Sequence, residues 1–426
     1  MSFQQGLSGL NAASKNLDVI GHNIANSNTV GFKASRAEFA EMVASAIGSS
    51  GGTNAGIGVE VGAVSQQFTQ GNLTITGNSL DVAINGNGFF TLTLPDGTPA
   101  YTRSGNFKLD KEGNMITNDN ANVMGYPVDP VTGLRSGTDP IPMVFPTSEP
   151  IPAKQTTTIT AAFNLPATAT DAAGDPAATP PIPATPRATY GTSINVFDSQ
   201  GVAKPVSLYF QKTATDNTWD VYDQLDDPTA VPPVVATPIG QITFDNNGAI
   251  TGPVATPPAT GFSLPLTVNP TPPNPNNLPT YTVDVSLDKV TQFGTKFAVS
   301  NLSQDGYTTG ELTGINIENN GMIMTRYSNG VTRAEGQLAL SSFRNTQGLA
   351  SVGGNNWVAT FESGQPVAGT ATDGNFGSLR SGALEDSNVD LTAELVNMMT
   401  AQRAYQANAQ TIKTQDQVLS TLLNMR

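Results

Sequence analysis

The one histidine of the chain, His22, stands between Gly21 and Asn23, and the sequence holds no cysteine. Zinc sites drawn from Cys and His therefore lack their usual ligands, and neither a thiolate nucleophile nor a disulfide framework is available. His22 falls in a helix-like segment, where a polar surface or a contact between copies accounts for it better than a catalytic base. Acidic residues come next, and Asp220, Asp223, Asp226 and Asp227 are their densest group. A carboxylate pair can cleave a glycosidic bond, but only at a separation in space that sequence spacing does not give. Such clusters in loops are ordinarily just solvated. INGNGFF (84–90) has G-x-G without the third glycine or the Lys-Ser/Thr of a phosphate loop, and reads as a tight turn leading Phe89 and Phe90 into a core. An apolar residue, Asp or Glu, two more residues, Gly and a return strand recur as LDKEGNMI (109–116), FDSQGV (197–202), FDNNGAI (244–250) and IENNGMIM (317–324). A calcium loop needs a fuller ligand series and a distal Glu, so these read as hairpin turns. No catalytic constellation, metal site or cofactor site is expected.

The strongest pattern lies at the two ends. Near the C-terminus Leu391, Met398, Tyr405, Ile412 and Leu419 recur every seven residues; Leu395, Ala409 and Leu423 fill part of a second line, which Gln402 and Asp416 interrupt. Ser387-Asn388-Val389-Asp390 has the form of a capping box and puts the helix start near Asn388. No Gly or Pro follows, so about 39 residues can form one rod of roughly 58 Å. At the N-terminus Phe3, Leu10, Leu17 and Ile24 are spaced by seven, with Leu7, Ala13 and Ile20 beside them, on a helix of about residues 3–27 that Asn26-Ser27-Asn28 and Gly31 end. Stripes this narrow either face the body of their own protein or pair with each other. Gly6, Gly9 and Gly21 each weaken the first helix by roughly 1 kcal/mol relative to Ala. Isolated helices are marginal in water, so both ends are expected to be poorly ordered in a lone monomer.

The elements between the ends are β-rich. The chain has 426 residues, 42 of them Gly and 30 Pro, with only 13% charged, and length alone gives room for two to four domains. A net charge of −14 argues against a nucleic-acid partner and a basic membrane-binding surface. No apolar run approaches the 18 or so residues of a membrane span. The N-terminus lacks a basic segment followed by a continuous apolar stretch, so no cleaved signal peptide is expected. IGSSGGTNAGIGVEVG (47–62) reads as loop, and LTITG, LDVAI and FFTLTL (73–94) as strands.

Twenty-seven of the prolines lie between Pro127 and Pro279. Proline is excluded from central strands, so this region should hold short or edge strands around a small core including Val206, Leu208, Tyr222, Ile242 and Phe262. The expected fold is mixed α and β: a terminal helical coiled-coil pair (1–28 and 388–426), connectors (29–72 and 378–387), a sandwich- or barrel-like β domain (73–145 and 306–377), and an inserted outer Pro/Thr-rich β domain (146–305).

Several stretches together resemble the rod and hook family of bacterial flagellar axial proteins, and within it the hook members. They are GLSGLNAASKNLDVIGHNIANSNTVGFKASR (6–36), NSLDVAINGNGFF (78–90), YTRSGNFKLDKEGN (101–114), GQLALSSFRNTQGL (336–349) and GALEDSNVDLTAELVNMMTAQRAYQANAQTI (382–412). The resemblance covers roughly 1–126 and 307–426 and is weak in the middle. It implies that the terminal helices pair and line the inner tube of a helical homopolymer, and that the β domains form its outer layers. It also implies a role without catalysis in a curved, bendable joint carrying motor torque from rod to filament. Partners would be further copies, the rod, the hook cap, the hook–filament junction proteins and the flagellar type III export apparatus, with a final place outside the cell. A distal rod protein shares both termini but lacks the large insertion. A surface fibre or adhesin and a carbohydrate-acting β protein are the readings of other classes.

Overall fold

The computed structural model describes residues 2–43, 56–130, 132–146, 149–175, 177–227, 235–255, 261–269 and 277–424. Two α-helices stand at its ends, α1 (Ser2–Ala25) and α2 (Leu391–Asn424), and the described residues between them are β-strands and turns apart from two short 3-10 turns. The chain divides into two units: Met1–Ser148 with Leu312–Tyr327 and Thr332–Arg426, and Glu149–Glu311 with Ser328–Val331.

In the first unit, α1 leads through a short turn into β1 (Ser35–Val43), which pairs antiparallel with β2 (Gly56–Gln66). The stretch 47–62 was expected to be loop, yet its last seven residues belong to β2; residues 47–55 lie outside the described residues. IGVEVGAVSQ alternates well enough to pair, and glycine content masked that alternation.

The body is a twelve-stranded sheet in which strands from both halves of the chain interleave. Thr332–Ser342 is its hub, pairing with Met322–Tyr327, Asn122–Pro127, Phe89–Thr93 and Val367–Thr370. Val82, Ile84, Phe90, Leu92, Phe107, Val123, Phe145, Leu338 and Leu340 pack into one buried core. Phe89, Tyr101 and Trp357 form a second cluster with Phe68 and Phe343. Neighbouring Phe89 and Phe90 thus enter separate clusters, as alternation along a strand requires.

The second unit carries two five-stranded sheets. One is a meander of Gly191–Phe197, Ala203–Lys212, Thr218–Tyr222, Gly240–Phe244 and Ile250–Gly252; the other centres on Thr158–Pro166. A shared core includes Ile159, Phe163, Val196, Leu208, Phe210, Trp219, Ile242, Leu264 and Val283. Prolines occupy tolerated positions. Pro265 lies on the edge strand Ser263–Val268, and Pro205 lies where its strand pairs on one side only, with Asn195. The neck of the unit is held by Asp305. One of its carboxylate oxygens accepts the Thr157 and Thr158 N–H groups at 2.8 and 2.9 Å, and the other takes the Thr157 hydroxyl and Lys154. Burial pushes this carboxyl up, but those donors outweigh it and bring it down to about 2.

All four repeated acidic motifs are hairpin turns. Gly113, Gly201, Gly248 and Gly321 have φ between +79° and +87°. Asp110, Asp198 and Asp245 accept backbone N–H groups across their turns, while Asn320 does this in the fourth. Among the described residues, no group of acidic or histidine side chains is arranged to hold a metal ion.

Candidate functional site: the helix pair and its fastening

Helix α2 begins three residues later than the sequence suggests. Asp390 is its cap, accepting the Thr392 and Ala393 N–H groups at 2.9 and 3.1 Å. Asn388 serves the connector instead: it accepts the Ala34 N–H at 2.7 Å and donates to the Gln67 carbonyl at 2.7 Å and the Thr69 hydroxyl at 2.9 Å.

The helices run antiparallel and meet through small residues. A Cβ on Gly6 would stand 3.1 Å from Ile412, and one on Gly9 would stand 2.9 Å from the Asn408 side chain. At the other end of the pair Asn23 donates to Glu394 and exchanges two 2.8 Å bonds with the backbone of Ser35. Gly6, Ala12, Ala13, Ile20 and Asn23 are the buried residues of α1, and Ala401 is the one among the described side chains of α2. On its other side α1 is bonded to β2: the Gln5 amide donates to the Gly56 carbonyl, and the Ser8 hydroxyl accepts the Val59 N–H.

The predicted stripes divide on this geometry. Ile20 is buried, and Leu10, Leu17, Ile24, Met398 and Ile412 are half-buried. Phe3, Leu7, Leu391, Leu395 and Tyr405 are exposed, Leu7 by 44% and Leu395 by 46%. The side chains of Leu419 and Leu423 lie outside the described residues. Of the expected second line of α2, Leu395 is exposed, Ala409 is half-buried, and the side chain of Leu423 lies outside the described residues. The inward face of α2 also contains Glu394, Ala401, Asn408 and Gln415, with Ile412 set against Gly6 and Asn408 against Gly9. Val396, Met399 and Val418 are also left uncovered on α2. His22 is exposed, its ring 5.4 Å from that of Phe32.

Where both helices join the β body, three charged side chains are buried together: Glu385 at 0%, Lys33 at 1% and Arg103 at 4% exposure. One Glu385 oxygen takes the Lys33 ammonium at 2.5 Å and the Gly71 N–H at 3.0 Å; the other takes Arg103 at 3.3 Å. Lys33 also donates to the Thr69 carbonyl at 2.8 Å. Burial pulls the Lys33 ammonium below its usual range; Glu385 opposes this and Arg103 adds to it. Gly31 permits the arrangement. Its φ is +71°, its N–H donates to the Glu385 carbonyl at 2.7 Å, and a Cβ there would lie 2.7 Å from the Ser104 backbone. Segments 31–35, 67–71, 103 and 385–388 are thereby knotted at one point. Sequence spacing does not single out Lys33, Arg103 or Glu385. All three lie inside the family-like stretches, but 352 positions separate Lys33 from Glu385, and no local pattern pairs them.

The glycine-seamed helix pair, rooted in the β body by a buried ionic knot, leaves much apolar helix surface uncovered. No helix among the described residues is long and apolar enough to cross a membrane.

Four family models match the chain: "Flagella basal body rod protein" at 3–33, "Flagellar hook protein FlgE/F/G D1 domain" at 83–172, "Flagellar basal body protein FlaE D2 domain" at 164–307, and "Flagellar basal body rod FlgEFG protein C-terminal" at 380–425. The middle region, where the sequence resemblance was weak, is thus matched as well. The chain is 42% identical over 433 residues to the flagellar hook protein FlgE of Salmonella typhimurium and 43% identical over 434 residues to that of Escherichia coli, covering all of each chain. It is 32% identical to that of Borreliella burgdorferi, across all of this chain and 99% of the other. The crystal structure of Helicobacter pylori flagellar hook protein FlgE2 has a similar fold, with a TM-score of 0.53 at 15% identity over 73% of this chain and all of that one. Identity of this order along the entire length, through both helices and both β units, makes the chain a member of the flagellar hook protein FlgE family.

Proposed function

We propose that the chain polymerises with further copies into the curved, bendable hook tube that carries torque from rod to filament, its terminal helices forming the inner wall. The observation that carries this reading is the exposed apolar surface of the helix pair, from Phe3 and Leu7 on α1 and from Leu391, Leu395, Val396 and Met399 on α2. A pair that leaves these large apolar residues outside its own seam is built to be covered by other molecules. The buried knot at Glu385 carries load between helices and β body, so the subunit moves as a lever rather than as beads on a string. The role is structural, without catalysis. Rod, cap and hook–filament junction proteins meet the ends of the tube, and the subunit leaves the cell through the flagellar type III apparatus.

Leu395→Asp together with Leu7→Asp tests this. Each removes an apolar side chain worth about 1.5–3 kcal/mol when fully covered, and leaves the β units untouched. The expected result is a monomer with unchanged β-unit melting and no tubes by electron microscopy. Normal hooks from this variant would refute the reading.

A further inference from the structure

Beside the buried knot lies a cavity of about 350 Å³, lined by Phe68, Phe89, Arg103, Phe343, Arg344 and Asn375 among others. Its charge is unbalanced. The knot sets two buried cations against the single carboxylate of Glu385, and the Nε of Arg103 is buried without a hydrogen-bond partner. Arg344, exposed on the same cavity, has no ion pair among the described residues. Buried polar atoms are nearly always satisfied, and a guanidinium offers its donors in a fork that matches a carboxylate. The space is of a size that holds a side chain rather than a bare ion, and the rings of Phe68, Phe89 and Phe343 form apolar walls for its stem.

We propose that this cavity is a socket for a carboxylate, and that in the polymer an Asp or Glu side chain of a neighbouring copy fills it. The chain carries 34 acidic residues against 20 Lys and Arg, so a second copy presents carboxylates in excess, and a positive recess on a protein of net charge −14 is where like-charged copies can meet without repulsion. This rests on the polymer reading above. The contact is heterologous, a recess on one copy meeting a different surface of the next, which is the kind that propagates into open helical assemblies.

The test uses the full chain with Arg344→Lys, polymerised as an equal mixture of 15N-labelled and unlabelled protein. A water-soluble carbodiimide then joins amines to carboxylates that lie at ion-pair distance. The expected product is a peptide spanning position 344 linked to an acidic peptide, with mixed-isotope pairs present. Polymers with no such link, or with same-isotope pairs alone, overturn the proposal. Inorganic phosphate is titrated against the monomer in parallel: binding that R344A abolishes, with no link between copies in the polymer, reassigns the socket to a free anion and also overturns it. Arg344→Ala should raise the concentration needed for assembly about fivefold, the loss of one partly shielded ion pair. Failure of the unsubstituted chain to form tubes is a separate result, which removes the polymer reading and this inference with it.

Discussion

At the scale of single residues, Glu385 bears the most weight. It is the sole anion among three buried charges, and it also accepts the Gly71 N–H. Replacing it with Gln leaves Lys33 and Arg103 buried without a counter-charge, a change that costs about 3–5 kcal/mol in buried pairs. Replacing Lys33, Arg103 and Glu385 together with Met removes the charge along with its desolvation penalty and should cost less than E385Q alone. Calorimetry of the full chain compares the two, and a triple variant less stable than E385Q would defeat the argument. Residues acting within their own neighbourhood were legible from sequence. Asp110, Asp198 and Asp245 sit in hairpins because each can reach N–H groups within four positions, and the glycine three residues on supplies the positive φ. Lys33 and Arg103 were not legible, since a lone cation in a loop looks solvated until the fold buries it.

At the scale of elements, both helices are legible from period alone, but whether they pair and which face of each forms the seam are not. The apolar sevens supply only part of the inner surface of α2: Met398 and Ile412 are half-buried while Leu391 and Tyr405 are exposed, and Glu394, Ala401 and Asn408 share that surface. Gly6 and Gly9 let α2 come close, since a Cβ on Gly6 would stand 3.1 Å from Ile412 and one on Gly9 2.9 Å from the Asn408 side chain. Gly9→Val should therefore cost about 1–3 kcal/mol of helix pairing, because its branch meets Asn408 where even a Cβ stands at 2.9 Å. Gly21 has nothing within 4 Å of its would-be Cβ, so Gly21→Ala should stabilise α1 by roughly 1 kcal/mol. Amide hydrogen exchange across α1 in the monomer reads both. Equal effects at the two glycines would mean that propensity rather than close approach governs the pair. The strand Gly56–Gln66 shows a related limit, because glycine-rich sequence still pairs when alternate positions carry Val and Ala.

At the scale of the whole molecule, the insertion leaves and rejoins the chain at neighbouring points. Ile151 bridges Gly310 and Lys154 bridges Tyr307, both antiparallel, and Asp305 clamps the Thr157–Thr158 backbone at the same neck. Paired Cα atoms in such bridges stand about 4.5–5.5 Å apart, so two glycines can join Ile151 to Gly310 once residues 152–309 are removed. Nothing in the core that packs Val82, Phe90, Leu338 and Leu340 comes from the excised residues, and α1, α2 and the Glu385 knot lie wholly outside them. The excised protein should therefore keep the melting transition of its twelve-stranded sheet and still form tubes. Curvature is a different matter. On the proposed reading, with the inserted unit in the outer layer of the tube, its removal should leave hooks of changed curvature, visible by electron microscopy. Hooks of unchanged curvature would move the bending element inward, to the hairpin of β1 and β2, and complete loss of tubes would make the second unit part of the assembly contact itself.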